Sequence, residues 1–170
     1  MTMRAGGAVL LALAMSASRA VEDLKSAAMT PAKLAVSLKA AGFDCSEIGK
    51  GLKTSKPETA NALKEAKCQP VELGVALAEL GASKKEVVTL MRDAGFDRTF
   101  VARTLKKLGA QASEIAEIMR KSNYTPGDVA IALRLNEVPA EETSAALASA
   151  NVAKAEIPAA LAYAGYRDKR

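Results

Sequence analysis

The chain has no histidine and no tryptophan, and aromatic residues make up only 4% of its 170 positions. Losing histidine removes the commonest general base and the commonest metal ligand together. It also rules out any Ser–His or Cys–His catalytic pairing. So few aromatics leave little for stacking nucleobases. There are two cysteines, and two thiols alone cannot close a structural zinc site. Runs of β-branched residues are scarce, which argues against sheet. No glycine loop of the phosphate-cradling kind is present. What remains is a composition 49% hydrophobic, built from Ala, Leu, Val, Ile and Met. Such a chain favours helix and is long enough for a real core. The expectation is an all-α protein without a cofactor.

The hydrophobic pattern repeats. "LAELGA" at Leu77, "MRDAGF" at Met91 and "LKKLGA" at Leu105 are 14 residues apart, and the frame continues through Met119, Leu133, Leu147 and Leu161. Backwards it reaches Leu63, loses three residues, and resumes through Leu52, Leu38 and Leu24. About eleven units are present. Periods this short mark stacked supersecondary units.

Each place in the unit has a physical reason. The first is often a helix cap (Thr30, Asp44, Ser83, Asp97, Thr125), and the second is sometimes proline, which suits a first turn. The fourth is usually acidic (Glu47, Glu72, Glu86, Glu114, Asp128, Glu142, Glu156), which completes a capping box. The fifth and ninth are apolar and share one helix face. The sixth is small, so a neighbouring helix can approach. The thirteenth is Gly or Asn in most units (Gly42, Gly81, Gly95, Gly109, Asn123, Asn151, Gly165), as a left-handed helix terminator requires. The unit is therefore one helix of about ten residues, about 15 Å long, and a tight turn. Helices so short need stacking to persist. Small and large residues partly alternate at the fourteenth place (Ala82, Phe96, Ala110, Tyr124). That suggests a 28-residue structural period with two helices per layer. The expected architecture is a right-handed α-solenoid or superhelical array over 21–166.

The unit "LKAAGF" followed by "DCSEIGKGL" resembles short-helix α-solenoid repeat proteins of bacteria and algae. It is also similar to the repeats of mitochondrial transcription termination factors, in which "GF" and a capping box recur between helices. The first resemblance covers about residues 20–166. It implies a binding or scaffolding surface and no reaction.

Three features bear on function. Cys45 opens one helix and Cys68 follows the end of the next. If those helices are antiparallel the thiols meet, which allows a disulfide; the alternative is two small buried hydrophobes. The tenth place is basic in most units (Lys25, Lys39, Lys53, Lys64, Arg92, Lys106, Arg120, Arg134). Arg98, Arg103, Lys107 and Lys121 add to it where the chain is most basic. Between Lys84 and Lys121 there are nine cations and five acids; from Leu135 to Tyr166 there is one cation, Lys154, against four acids. The cations read either as a face for an acidic protein, an anionic membrane surface or nucleic acid, or as a solvated face that keeps Ala-rich helices in solution. Near the end, Ala148, Ala162 and Tyr163 replace charge, and Pro158 requires its helix to start late or kink. That end is expected to dock on another subunit.

The first twenty residues, "MTMRAGGAVLLALAMSASRA", carry Arg4, an apolar run over 7–15, and small residues Ser18 and Ala20 before a candidate cleavage site. They read as an export or lumen-targeting signal, or as a first helix over about 8–28. The run is too short to span a bilayer. A basic tail occupies 167–170. The functional expectation is a non-catalytic scaffold or linker subunit that binds other proteins of an assembly. Its expected site is a periplasm or an organelle lumen such as that of the thylakoid, or a soluble intracellular compartment if the signal is not real. The alternative is a helical repeat protein that binds nucleic acid through its basic face.

Overall fold

The computed structural model describes residues 29–166; the candidate signal and the basic tail lie outside the described residues. Among these the chain is all-α. The helices are α1 (Pro31–Ala40), α2 (Cys45–Leu52), α3 (Lys56–Glu65), α4 (Pro70–Glu79), α5 (Lys84–Asp93), α6 (Arg98–Lys107), α7 (Ala112–Lys121), α8 (Pro126–Leu135), α9 (Ala140–Ser149) and α10 (Ile157–Tyr163). They fall into two compact units, Met1–Gly81 and Ala82–Arg170.

Within each unit, helices pack against their neighbours in sequence and against the helix two further on. In the first unit α1 lies against α3 and α2 against α4. In the second, α5, α7 and α9 form one layer, and α6, α8 and α10 the other. This is the two-helix, 28-residue period that the alternation of small and large residues suggests. The fifth and ninth places fill the core: Leu34 and Leu38, Ile48 and Leu52, Val101 and Leu105, Val129 and Leu133 are all buried. The sixth place allows the close approach. A Cβ added to Gly49 would stand 3.3 Å from Leu80 Cδ1, so even alanine there presses on the neighbouring helix.

The helix ends follow one design. The N–H of the fourteenth residue donates to the carbonyl of the ninth, as in Phe43 to Leu38 and Tyr124 to Met119, each 3.1 Å. One leucine or methionine thus supplies both a core side chain and a terminal acceptor. The thirteenth residue is left-handed throughout. That includes Lys67 (φ 57) and Glu137 (φ 66), where the sequence offers neither Gly nor Asn and the backbone bears roughly 1–2 kcal/mol of strain.

The caps depart in part from the sequence reading, and the irregular units follow it. Reciprocal capping boxes form at Asp44/Glu47, Ser83/Glu86 and Thr125/Asp128. Glu72, Glu114 and Glu142 complete none, because Gln69, Gln111 and Pro139 before them make no side-chain cap. Nor does Glu156, which is itself the residue before α10. The helix bearing Pro158 does start late, as expected, at Ile157, the fifth place of its unit and three places after the usual start. The shortened unit yields α2, eight residues long, ending at Lys53 with φ 50.

Candidate functional site

The basic residues do not form a free ladder. Several of those in the second unit reach forward about thirty residues to the helix two units on. Arg92 Nη1 donates to the Ser122 carbonyl at 2.6 Å, while its Nε and Nη2 hold Asp93 Oδ1. Lys106 Nζ donates to the Asn136 carbonyl at 3.2 Å. Both carbonyls lie at the C-terminal ends of helices, where a cation is favoured by the helix dipole. At the second place, Lys84 pairs with Glu114 at 2.8 Å and Arg98 with Asp128 at 3.0 Å. Glu114 is thus an inter-helix partner instead of a cap, and Asp128 serves as both. Arg120 closes its own turn on the Tyr124 carbonyl at 2.6 Å. Lys121 pairs with Glu117 one turn back. Arg134 lies over the backbone of Gly165, its Cζ 3.8 Å from where a Cβ would stand.

Asn136 is the centre of this pattern. It is buried, donates to the carbonyls of Thr99 and Ala132, and accepts from Arg103 Nε at 3.3 Å. The Arg103 guanidinium also stands 5.8 Å from the centre of the Phe100 ring. The local basic segment is therefore largely a set of clasps between α6 and α8. Lys107 makes no such bond.

What the clasps leave open is the outer side of the α6–α8–α10 layer. The fourth, seventh and eleventh places share one helix stripe. In this layer they are Phe100, Arg103 and Lys107; Asp128, Ile131 and Leu135; Glu156, Ala159 and Tyr163. Phe100, Leu135 and Tyr163 are 37%, 45% and 69% exposed. The Tyr163 ring lies against α8 at Gly127, where an added Cβ would meet it at 2.6 Å. The opposite layer carries Glu86, Thr89 and Asp93; Glu114, Glu117 and Lys121; Glu142, Ala145 and Ser149 in the same places. One side of this unit is thus largely apolar, with its cations Arg103 and Lys107 on α6 and its acids Asp128 and Glu156 at the starts of α8 and α10, and the other is mainly acidic and polar. Tyr163 belongs to the end expected from the sequence to dock on another subunit, whereas Leu135 was not among the residues expected to bind a partner. Their signal is the 28-residue series Lys107, Leu135, Tyr163, which only a layer-by-layer alignment isolates.

In the first unit Cys45 and Cys68 are joined by a disulfide, their Cα atoms 6.0 Å apart. The bond ties the start of α2 to the turn after α3. Among the described residues no group of three His, Cys, Asp or Glu could hold a metal ion, and no helix is long and apolar enough to cross a membrane. Burial raises the pKa of Tyr124 and Tyr166 above the ordinary phenol value. Tyr166 Oη donates to the Val138 carbonyl at 2.6 Å and meets Thr143 Oγ1 at 2.8 Å, so it acts as a fixed strut between turns. No protein-family model matches the chain, and no curated protein and no solved structure is significantly similar to it.

Proposed function

We propose that the chain is a non-catalytic scaffold subunit whose α6–α8–α10 side binds another protein. The observation that carries this reading is the exposure of Phe100, Leu135 and Tyr163 on the same stripe of successive helices, with Arg103 and Lys107 on that stripe in α6. Exposed aromatic and aliphatic anchors with arginine nearby are what protein interfaces are built around. The partner that fits is a segment with apolar side chains flanked by carboxylates. The basic residues named from sequence then divide. Arg92, Arg98 and Lys106 serve mainly to tie a helix to the one two further on, Arg120 closes its own turn, and Arg103 and Lys107 face the partner. An oxidising compartment, such as an organelle lumen or the periplasm, is supported by the disulfide.

Tagged protein purified from its native source, with the bound proteins identified by mass, tests this. Phe100→Ala/Leu135→Ala/Tyr163→Ala should lose a defined partner that the opposite-side variant Glu117→Ala/Ser149→Ala retains. A partner kept equally by both variants would sink the proposal. A parallel titration with random-sequence single-stranded RNA should show no binding between 50 and 200 mM salt, a range over which a phosphate-binding face loses orders of magnitude in affinity (roughly 10³ or more for six contacts). Salt-dependent binding abolished by Arg103→Ala/Lys107→Ala would favour the nucleic-acid alternative.

A further inference from the structure

The two sulfurs of the disulfide have different surroundings. Cys45 is the first residue of α2, at the positive end of that helix's dipole. Lys39, in the last turn of α1, places Nζ 3.4 Å from Cys45 Sγ. Glu72, in the first turn of α4, places Oε2 3.5 Å from the same sulfur. A bonded sulfur has no proton, so the Glu72 contact is no hydrogen bond while the disulfide is closed. In the reduced chain that carboxylate would accept the Cys45 S–H. Asp44 and Glu47, also near the start of α2, are occupied with each other's backbone N–H groups. Cys68 has no charged side chain bonded to it among the described residues. It sits in a turn whose flanking residues, Lys67 and Gln69, are exposed.

From this asymmetry we infer that Cys45–Cys68 is a thiol–disulfide exchange site, attacked at Cys68 by a small thiol or a dithiol protein, with Cys45 as the leaving sulfur. A thiolate RS⁻ bonds to Cys68 Sγ, the Cys45–Cys68 bond breaks, and its electron pair stays on Cys45 as a thiolate. A second thiolate attacks the R sulfur of the mixed disulfide, releasing Cys68 and RSSR. Two thiols have then lost two electrons, and their two protons end on Cys45 and Cys68. A lysine and a helix N-terminus both favour a thiolate, and a better-stabilised thiolate leaves faster. Lys39 therefore speeds opening and Glu72 slows it. The cysteines are only 3% and 5% exposed, so exchange proceeds through opening of the 66–69 turn. Reduction frees the start of α2 from that turn and loosens the first unit. This inference does not depend on the partner-binding face.

The test is the rate at which dithiothreitol reduces the native protein at pH 7, followed by trapping the thiols with a mass tag. Lys39→Met should slow reduction roughly threefold to tenfold, and Glu72→Gln should speed it by a similar factor; an adjacent charge shifts a titrating group by about one unit or more, and exchange rates follow that shift only in part. In the reduced protein, the pH midpoint of Cys45 alkylation should rise in Lys39→Met and fall in Glu72→Gln. Both differences should vanish in 6 M guanidinium, where the pocket is gone. Equal rates in the three proteins would overturn the inference, as would a wild-type bond that opens only when the whole chain unfolds.

Discussion

The first unit joins its helices by a covalent bond as well as by side chains that reach two helices forward, such as Lys50 to Glu79, while the second uses such side chains without the bond. In α1–α4 the repeat has lost three residues, α2 is short, and Cys45–Cys68 ties it to the turn after α3. In α5–α10 every helix but the last has ten residues. There Arg92, Lys106, Lys84 and Arg98 each engage a carbonyl or carboxylate thirty residues on. A regular repeat puts the same cation opposite the same helix end in each layer, so the clasp can recur. A three-residue deletion shifts that register. Clasps persist beside the break, in Lys50 to Glu79 and Lys56 to the Gly81 carbonyl, so the comparison teaches that a cross-link is added where periodicity fails and that cation clasps stand without one where it holds.

The sharpest way to break the comparison is Cys45→Ala/Cys68→Ala. Closing a loop of 23 residues is worth about 3 kcal/mol by chain entropy. The loss should appear in α1–α4 alone, as reduced protection of their core amides in native-state hydrogen exchange. Equal loss across α5–α10 would mean that the two units unfold together and that the contrast has no energetic content.

Next in size is Asn136→Ala in the second unit. It strands two carbonyls, Thr99 and Ala132, and takes the acceptor from Arg103. Leaving buried polar groups unpaired costs about 1–3 kcal/mol. Denaturant unfolding followed by hydrogen exchange should place this loss in α6 and α8. No change in stability would show that the clasp is decoration on a unit held by its leucines.

Helix periodicity, the caps and the two-helix layer were legible in the sequence because each rests on local chemistry. A cap and its acid are three residues apart, and a core pair four. The purpose of the tenth-place cations was not legible. Arg92 and Lys106 reach backbone carbonyls thirty residues away, and carbonyls carry no residue identity. Glu114 looked like a cap for the same reason, since nothing local marks Lys84 as its partner. Asn136 occupies the twelfth place, which no rule singled out. The exposed side was read only in part, through Arg103, Lys107 and Tyr163, because a 14-residue alignment averages both layers. Leu135 and Tyr163 then fall among Asp, Lys and Ser and lose their common register, and Phe100 falls among the acids of the fourth place.

The smallest effect concerns the cost of that exposed side. In α5 and α8 the third helical residue is an acid, Glu86 or Asp128, that closes the capping box. In α6 it is Phe100, so only Asp97 caps, accepting from the Thr99 N–H at 2.8 Å. Hydrogen bonds from the Thr99 side chain first, and from its backbone second, hold the Asp97 carboxyl below its ordinary value of 3.8. A folded-state pKa lowered in this way contributes stability that is fully present above the unfolded value. It is lost as pH falls through the folded one. Melting temperature should therefore drop more steeply between about pH 4 and pH 2 in the wild type than in Asp97→Asn, which caps without titrating. Above about pH 5 the difference should be constant. A cap contributes about 1 kcal/mol, so the excess slope is small, and it should be traceable to the first turn of α6 by amide exchange. Parallel acid profiles for the two proteins would show that α6 does not depend on this single cap, and that Phe100 displaced the usual acid without cost.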